Sequence, residues 1–123
     1  MSRQTVTSSE YEIMKILWRE GAPMSLGEIL KNLSEREWSR NTVGTMLTRL
    51  CEKGVVAYEK KGKANLYYAV LEEKDYSISE TKSFLSRLYD GSVWSMLAAL
   101  YENKEFSEED IAELKKLIDE KTK

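Results

Sequence analysis

A chain of 123 residues with 33% charged and 41% apolar side chains suits one soluble domain, or a small domain with an assembly module. It has no histidine and one cysteine, which excludes an internal disulfide, a transition-metal site and any catalytic set built on histidine. The polar N-terminus lacks a signal-peptide core, and the longest apolar run, residues 93–101, is too short to cross a membrane. We therefore expect a cytoplasmic protein that is not an enzyme, holds no cofactor or metal and has no membrane partner.

The net charge of −2 conceals an uneven distribution of charge. Residues 1–70 carry 11 Lys and Arg against 8 Asp and Glu, whereas residues 71–123 carry 8 against 13. Residues 39–63 contain six basic side chains and only two acidic ones. Charge runs are most often solvated surface, but a local basic patch is also compatible with a phosphate-bearing partner.

Two capping boxes predict the first two helices. Thr7 with Glu10 opens an apolar pattern of helical spacing, which Gly21 ends. Ser25 with Glu28 then opens a short second helix after a tight Gly–Ala–Pro link. Two helices in this arrangement, followed by a third, have the order of a helix-turn-helix domain. The residues expected on the buried side of the second helix are Leu26, Ile29, Leu30 and Leu33.

The third predicted helix begins after Ser39 as N-cap, runs to about Lys53 and carries an unusual outer face. Its inward side is apolar, and no acidic residue occurs between Ser39 and Cys51. Slim, uncharged side chains would let the helix enter a DNA major groove, which is about 12 Å wide. We expect Cys51 to be a semi-buried small residue, with a redox-sensing role as the alternative. The outward residues are Asn41, Thr42, Thr45, Thr48 and Arg49.

A β-hairpin follows, with arms predicted at residues 55–59 and 66–70 around the turn KKGKAN. Lys60, Lys61 and Lys63 crowd its tip. Three helices and a basic hairpin predict a winged-helix DNA-binding domain over residues 1–72. In this interpretation Arg40 and the three lysines bind phosphate, while Asn41, Thr42 and Thr45 select sequence. The alternative is a winged-helix adaptor that binds proteins and no operator.

The acidic, Ser-rich stretch LEEKDYSISE marks the predicted domain boundary, with helices expected at residues 79–89, 92–101 and from Ser107. In SVWSMLAALY eight of ten residues are apolar, which three short helices cannot cover well. We therefore predict that residues 73–123 form a helical dimerisation module, the alternative being packing on the chain's own N-terminal domain. The predicted dimerisation residues are Leu85, Leu88, Val93, Trp94, Leu97, Leu100, Tyr101, Ile111, Leu114, Leu117 and Ile118.

Four segments resemble the penicillinase-repressor (BlaI/MecI-type) transcription regulators: EYEIMKILWREGAPMSLGEILKNL, WSRNTVGTMLTRLCEKGVV, KKGKANLYYAV and FSEEDIAELKKLIDE. The resemblance covers nearly the whole chain. It implies a mainly α fold with a winged helix, a C-terminal dimerisation module and repression from palindromic operators. It also implies that the DNA-facing positions are Asn41, Thr42, Thr45 and Arg49.

The chain departs from this family at two regulatory positions. Antibiotic-responsive members are cleaved at an Asn–Phe bond, but the corresponding stretch here is Ala99–Leu100, so we expect no regulatory protease to act there. The copper-responsive branch carries paired Cys-x-Cys motifs, which this chain lacks, so copper sensing through that site is not expected.

Overall fold

Residues 6–122 are described by a computed structural model. Within this range lie six α-helices and one two-stranded sheet, and the chain divides into two units between Tyr76 and Ser77. None of the helices in the described range is long and apolar enough to span a bilayer. The elements are α1 (Ser8–Glu20), α2 (Leu26–Lys31), α3 (Arg40–Glu52), β1 (Val56–Lys61), β2 (Ala64–Ala69), α4 (Glu73–Tyr89), α5 (Val93–Glu102) and α6 (Glu108–Thr122).

Both predicted capping boxes are confirmed. The Thr7 hydroxyl accepts a hydrogen bond from the Glu10 N–H at 3.1 Å, and the Glu10 carboxylate accepts one from the Thr7 N–H at 3.0 Å. Ser25 and Glu28 exchange the equivalent bonds at 3.2 and 2.8 Å. Gly21 follows α1 with a φ of 65°, the left-handed conformation that favours glycine. These local bonds set the start of α1 and α2.

The third helix is also confirmed, with Ser39 as its N-cap. The Ser39 hydroxyl accepts a hydrogen bond from the Thr42 N–H at 3.1 Å. On its inner face Val43, Leu47 and Leu50 are completely buried, and Met46 is nearly so, with 6% of its surface exposed. They belong to one apolar core that includes residues of α1 and α2, among them Ile13, Met14 and Ile29.

The hairpin is longer and its turn tighter than predicted. The strands continue to Lys61 and from Ala64, and those two residues pair directly, so only Gly62 and Lys63 form the turn. Gly62 has a φ of 64°, which suits a first turn position in a two-residue hairpin. Because neighbouring side chains on a strand alternate, Lys60 and Lys61 lie on opposite faces of the hairpin.

A short third segment extends this sheet. Met24 and Tyr67 form an antiparallel bridge, with N–H to O distances of 2.8 and 2.7 Å. The bridge ties β2 to the link between α1 and α2. It therefore fixes the hairpin to the helical part of the first unit.

The predicted start of this helix near Ser79 is wrong, because α4 begins at Glu73 and takes in most of the stretch LEEKDYSISE. Acidic residues in a first turn, here Glu73 and Asp75, are favoured by the positive N-terminal end of a helix. The first turn belongs to the N-terminal unit, where Tyr76 stacks on Tyr11 with ring centroids 5.7 Å apart. The two units consequently divide inside α4.

The second unit buries very little within one chain. Among residues 77–121, Leu85 alone is buried, with 8% of its surface exposed, and α5 contains no buried residue. Trp94 is 75% exposed and Tyr101 62% exposed. Leu85, one of the predicted dimerisation residues, is thus already buried within its own chain. The other predicted dimerisation residues are half-buried (Leu97, Ile111, Leu114) or exposed (Leu88, Val93, Trp94, Leu100, Tyr101, Leu117, Ile118).

Candidate nucleic-acid interface

The outer face of α3 carries small polar side chains, as the sequence predicts. Asn41, Thr45 and Arg49 are exposed there, and the helix has no carboxylate before its last residue, Glu52. Among residues 6–122, the side chains of Asn41 and Thr45 have no hydrogen-bond partner. Their polar groups are thus available to a molecule that approaches α3.

Two other residues of this face already have local partners. The Thr48 hydroxyl donates to the Gly44 carbonyl oxygen at 3.0 Å, so its proton is committed to the helix backbone. The Thr42 and Ser39 hydroxyl oxygens lie 3.0 Å apart and share a hydrogen bond. Thr48 can therefore only accept a hydrogen bond from outside or offer its methyl group.

Five exposed cations lie on α3 and the hairpin: Arg40, Arg49, Lys60, Lys61 and Lys63. None of them has a carboxylate within ion-pair distance in the described part of the chain. By contrast, four cations elsewhere in the same unit do form ion pairs, at 2.5 to 3.4 Å: Lys15, Arg19, Arg36 and Lys53. Lys31 and Lys74 are the other cations without an ion pair in the described part of this unit, so five of its seven unpaired cations lie on α3 and the hairpin.

A cleft of about 300 Å³ brings the start of α3 and the hairpin turn together. Arg40 of α3, Lys63 of the turn and Asn65 of β2 contribute to its wall, and no carboxylate lines it. The prediction omitted Asn65, because the sequence places it in the turn KKGKAN, whereas the structure places it on β2 beside this cleft. Ser25, Leu26, Gly27, Ala64 and Tyr67 complete the lining.

Lys53 belongs to the basic segment of the sequence, but its charge is not available at this surface. Its ammonium group lies 2.5 Å from a carboxylate oxygen of Glu10, and the two side chains are only 14% and 1% exposed. Burial raises the pKa of Glu10, but hydrogen bonds from Lys53 and the Thr7 N–H outweigh burial and hold the pKa below its ordinary value. This pair could not be predicted from the sequence, because its members are 43 positions apart.

Cys51 is half-buried beside the apolar face of α3, as predicted. Burial, and then the neighbouring charge of Glu52, raise the pKa of its thiol. A raised pKa keeps the sulfur protonated near neutral pH, and the thiol is much less reactive than the thiolate. This environment does not favour a redox-sensing role.

The geometry agrees with three comparisons. A family model described as penicillinase repressor matches residues 6–120. The penicillinase repressor of Bacillus licheniformis is 35% identical over 116 residues, covering 94% of this chain and 90% of that protein. The solution structure of the DNA-binding domain of the repressor BlaI aligns with a TM-score of 0.54 at 33% identity, covering 61% of this chain and 92% of that one.

A related solution structure shows the monomeric form of Bacillus licheniformis BlaI in complex with the blaP half-operator. It aligns with a TM-score of 0.51 at 33% identity, again covering 61% of this chain and 92% of that one. The helices, the hairpin and these matches establish the first unit as a winged-helix domain. The chain belongs to the penicillinase repressor family.

Proposed function

We propose that this protein is a sequence-specific transcriptional repressor that binds palindromic operator DNA as a homodimer. The observation that carries the proposal is an α3 face of mostly small polar side chains, without a carboxylate before Glu52, combined with five cations on α3 and the hairpin that lack carboxylate partners in the described residues. A surface of this kind attracts a polyanion and lets a helix approach it closely. The relative bound to a half-operator supports DNA as that polyanion.

In this proposal the N-terminal turns of α3 enter the major groove. An Asn41 amide can donate to and accept from adenine, and the Thr45 methyl group can contact the thymine methyl. Thr42 lies beside them, while Arg49 reaches a guanine edge or a phosphate. Thr48 contributes less, because its hydroxyl proton is used within α3.

The cleft between α3 and the hairpin turn would bind a backbone phosphate. Arg40 and Lys63 supply two positive charges, and Asn65 supplies an amide donor. Lys60 and Lys61, on opposite faces of the hairpin, would contact phosphates on different parts of the duplex. These contacts set orientation and affinity, whereas α3 sets sequence preference.

The second unit would supply the dimer. In a single chain α5 leaves Val93, Trp94 and Tyr101 largely exposed. A second copy, related by two-fold symmetry, would cover the same patch on both chains. Two winged-helix units joined in this way meet half-sites about 34 Å apart, or a multiple of that distance.

The proposal is tested by selecting duplexes from a random library with the full-length protein and measuring affinity for the selected sequence by fluorescence anisotropy. We expect an enriched palindrome and at least a hundredfold preference for it over a scrambled duplex. Thr45→Glu should abolish that preference, because it places charge and bulk against the groove. Thr81→Glu is the control, since it adds the same charge to an exposed site on α4. Failure to enrich any sequence at moderate ionic strength would refute the proposed function.

A further inference from the structure

One buried ion pair joins the start of α1 to the end of α3. Glu10 is the third residue of α1 and the only charged residue that is buried in residues 6–122. Lys53 directly follows the last residue of α3, and its own N–H donates to the Arg49 carbonyl at 2.9 Å. The carboxylate oxygen that contacts Lys53 also accepts the Thr7 N–H at 3.0 Å. The N-terminal cap of α1 is thereby tied to the C-terminal end of α3.

The pair constrains α3 differently from the core contacts. The inner face of α3 packs through Val43, Leu47 and Leu50, and apolar contacts of this kind have little directionality. A charge-assisted hydrogen bond is short and directional, so it restricts both the tilt and the rotation of the helix that carries it. In the described residues, the Lys53–Glu10 bond is an ion pair of this kind, and it joins α1 to the end of α3.

A small error in tilt at Lys53 would be amplified at the opposite end of α3. Asn41 lies twelve residues from Lys53, or about 18 Å at 1.5 Å per residue. A tilt of about 5° around Lys53 would thus move Asn41 by about 1.5 Å. Hydrogen bonds to bases tolerate only a few tenths of an ångström in donor–acceptor distance, so such a shift would break them. Contacts of long, exposed Lys and Arg side chains with phosphates would survive it.

We propose that Glu10 and Lys53 are positioning residues that set the angle of α3 for base recognition. The inference rests on the proposed function and extends it to two residues that do not touch DNA. In this proposal the pair raises the affinity for operator DNA relative to random DNA, and it does not change the affinity for random DNA. Buried ion pairs often contribute little net stability compared with neutral groups of similar size, which is consistent with such a role.

The test compares two double variants of the full-length protein that leave net charge unchanged. Glu10→Gln with Lys53→Met replaces the buried pair by neutral side chains of similar size. Glu12→Gln with Arg36→Met does the same to a more exposed pair of the same unit, in which the side chains of Arg36 and Glu12 are 50% and 24% exposed and the charged atoms are 3.1 Å apart. For each protein, anisotropy gives the affinity for the selected operator and for a random duplex of equal length, at several salt concentrations. Circular dichroism checks the fold.

We expect the buried-pair variant to lose at least tenfold in the ratio of operator to random affinity, with unchanged random affinity and salt slope. The exposed-pair variant should keep the wild-type ratio. A ratio within twofold of wild type in the folded buried-pair variant would overturn the inference and leave the pair a purely structural contact. A loss on both duplexes would also overturn it, because positioning should spare general binding.

If the Glu10→Gln, Lys53→Met variant does not fold, Lys53→Arg tests the positioning role instead. Arginine keeps the charge and the fold but places its donors differently, so the ratio should fall more than twofold, and an unchanged ratio would overturn the inference. The wild-type protein separates the two hypotheses. If it does not discriminate between operator and random DNA, the proposed function fails. If it discriminates and the variants do so equally well, only the positioning role fails.

Discussion

The affinity for DNA should depend steeply on salt, because five cations of α3 and the hairpin have no carboxylate partner in the described residues. Each phosphate that a cation neutralises contributes about 0.9 to the slope of log affinity against log salt concentration. With all five engaged, the slope is about −4.5 for one unit and about −9 for a dimer. Raising the salt from about 50 to about 200 mM should then weaken one unit about 500-fold and the dimer about 10⁵-fold.

Lys63→Gln tests this reasoning at one charge. The variant should reduce the magnitude of the slope by about 0.9 per protomer, or about 1.8 for the dimer, because Lys63 lies at the phosphate-binding cleft. Lys15→Gln is the matched control, since Lys15 is paired with Glu12 at 3.3 Å and should leave the slope unchanged. Anisotropy titrations of a labelled duplex at five salt concentrations give both slopes. Equal changes in the two variants would refute the assignment, because the effect would then come from net charge alone.

Three further predictions concern assembly, acid stability and the thiol. Trp94→Lys should shift the sedimentation coefficient from dimer to monomer, because this 75% exposed side chain lies on the proposed interface; an unshifted dimer would exclude Trp94 from it. Since the folded-state pKa of Glu10 is lowered, its stabilising contribution is complete above about pH 4.5 and is lost as the pH falls through the folded value. Glu10→Gln should therefore flatten the acid side of a plot of urea midpoint against pH, and an unaltered acid side would contradict that assignment. Cys51 should react with DTNB at pH 7 at least tenfold more slowly in the native than in the urea-unfolded protein, and equal rates would contradict its raised pKa.

Much of the first unit could be predicted because the signals are local. The Thr7–Glu10 and Ser25–Glu28 boxes each involve residues three positions apart, so the sequence itself specifies where α1 and α2 begin. The spacing of Val43, Leu47 and Leu50 likewise identifies the buried side of α3, and hence its outer face.

The remaining features depend on contacts that the sequence does not encode locally. Asn65 joins the cleft because the hairpin turns after Lys61, and a run of KKGKAN does not reveal where a two-residue turn falls. Lys53 lies among the basic residues of the sequence, but in the fold its ammonium group contacts Glu10. The early start of α4 was missed because an acidic, Ser-rich stretch is equally typical of a linker, and burial of Tyr76 against Tyr11 settles the difference.

The exposed α5 has a consequence for how cellular supply of the protein would control transcription. In the proposed dimer, α5 would gain apolar burial from association, because none of its residues is fully buried in one chain, and the paired form would then be governed by mass action. When chains are scarce, the number of pairs rises with the square of the number of chains. Halving the rate of synthesis would then reduce pairs about fourfold, so a modest drop in gene dosage would release the operator sharply.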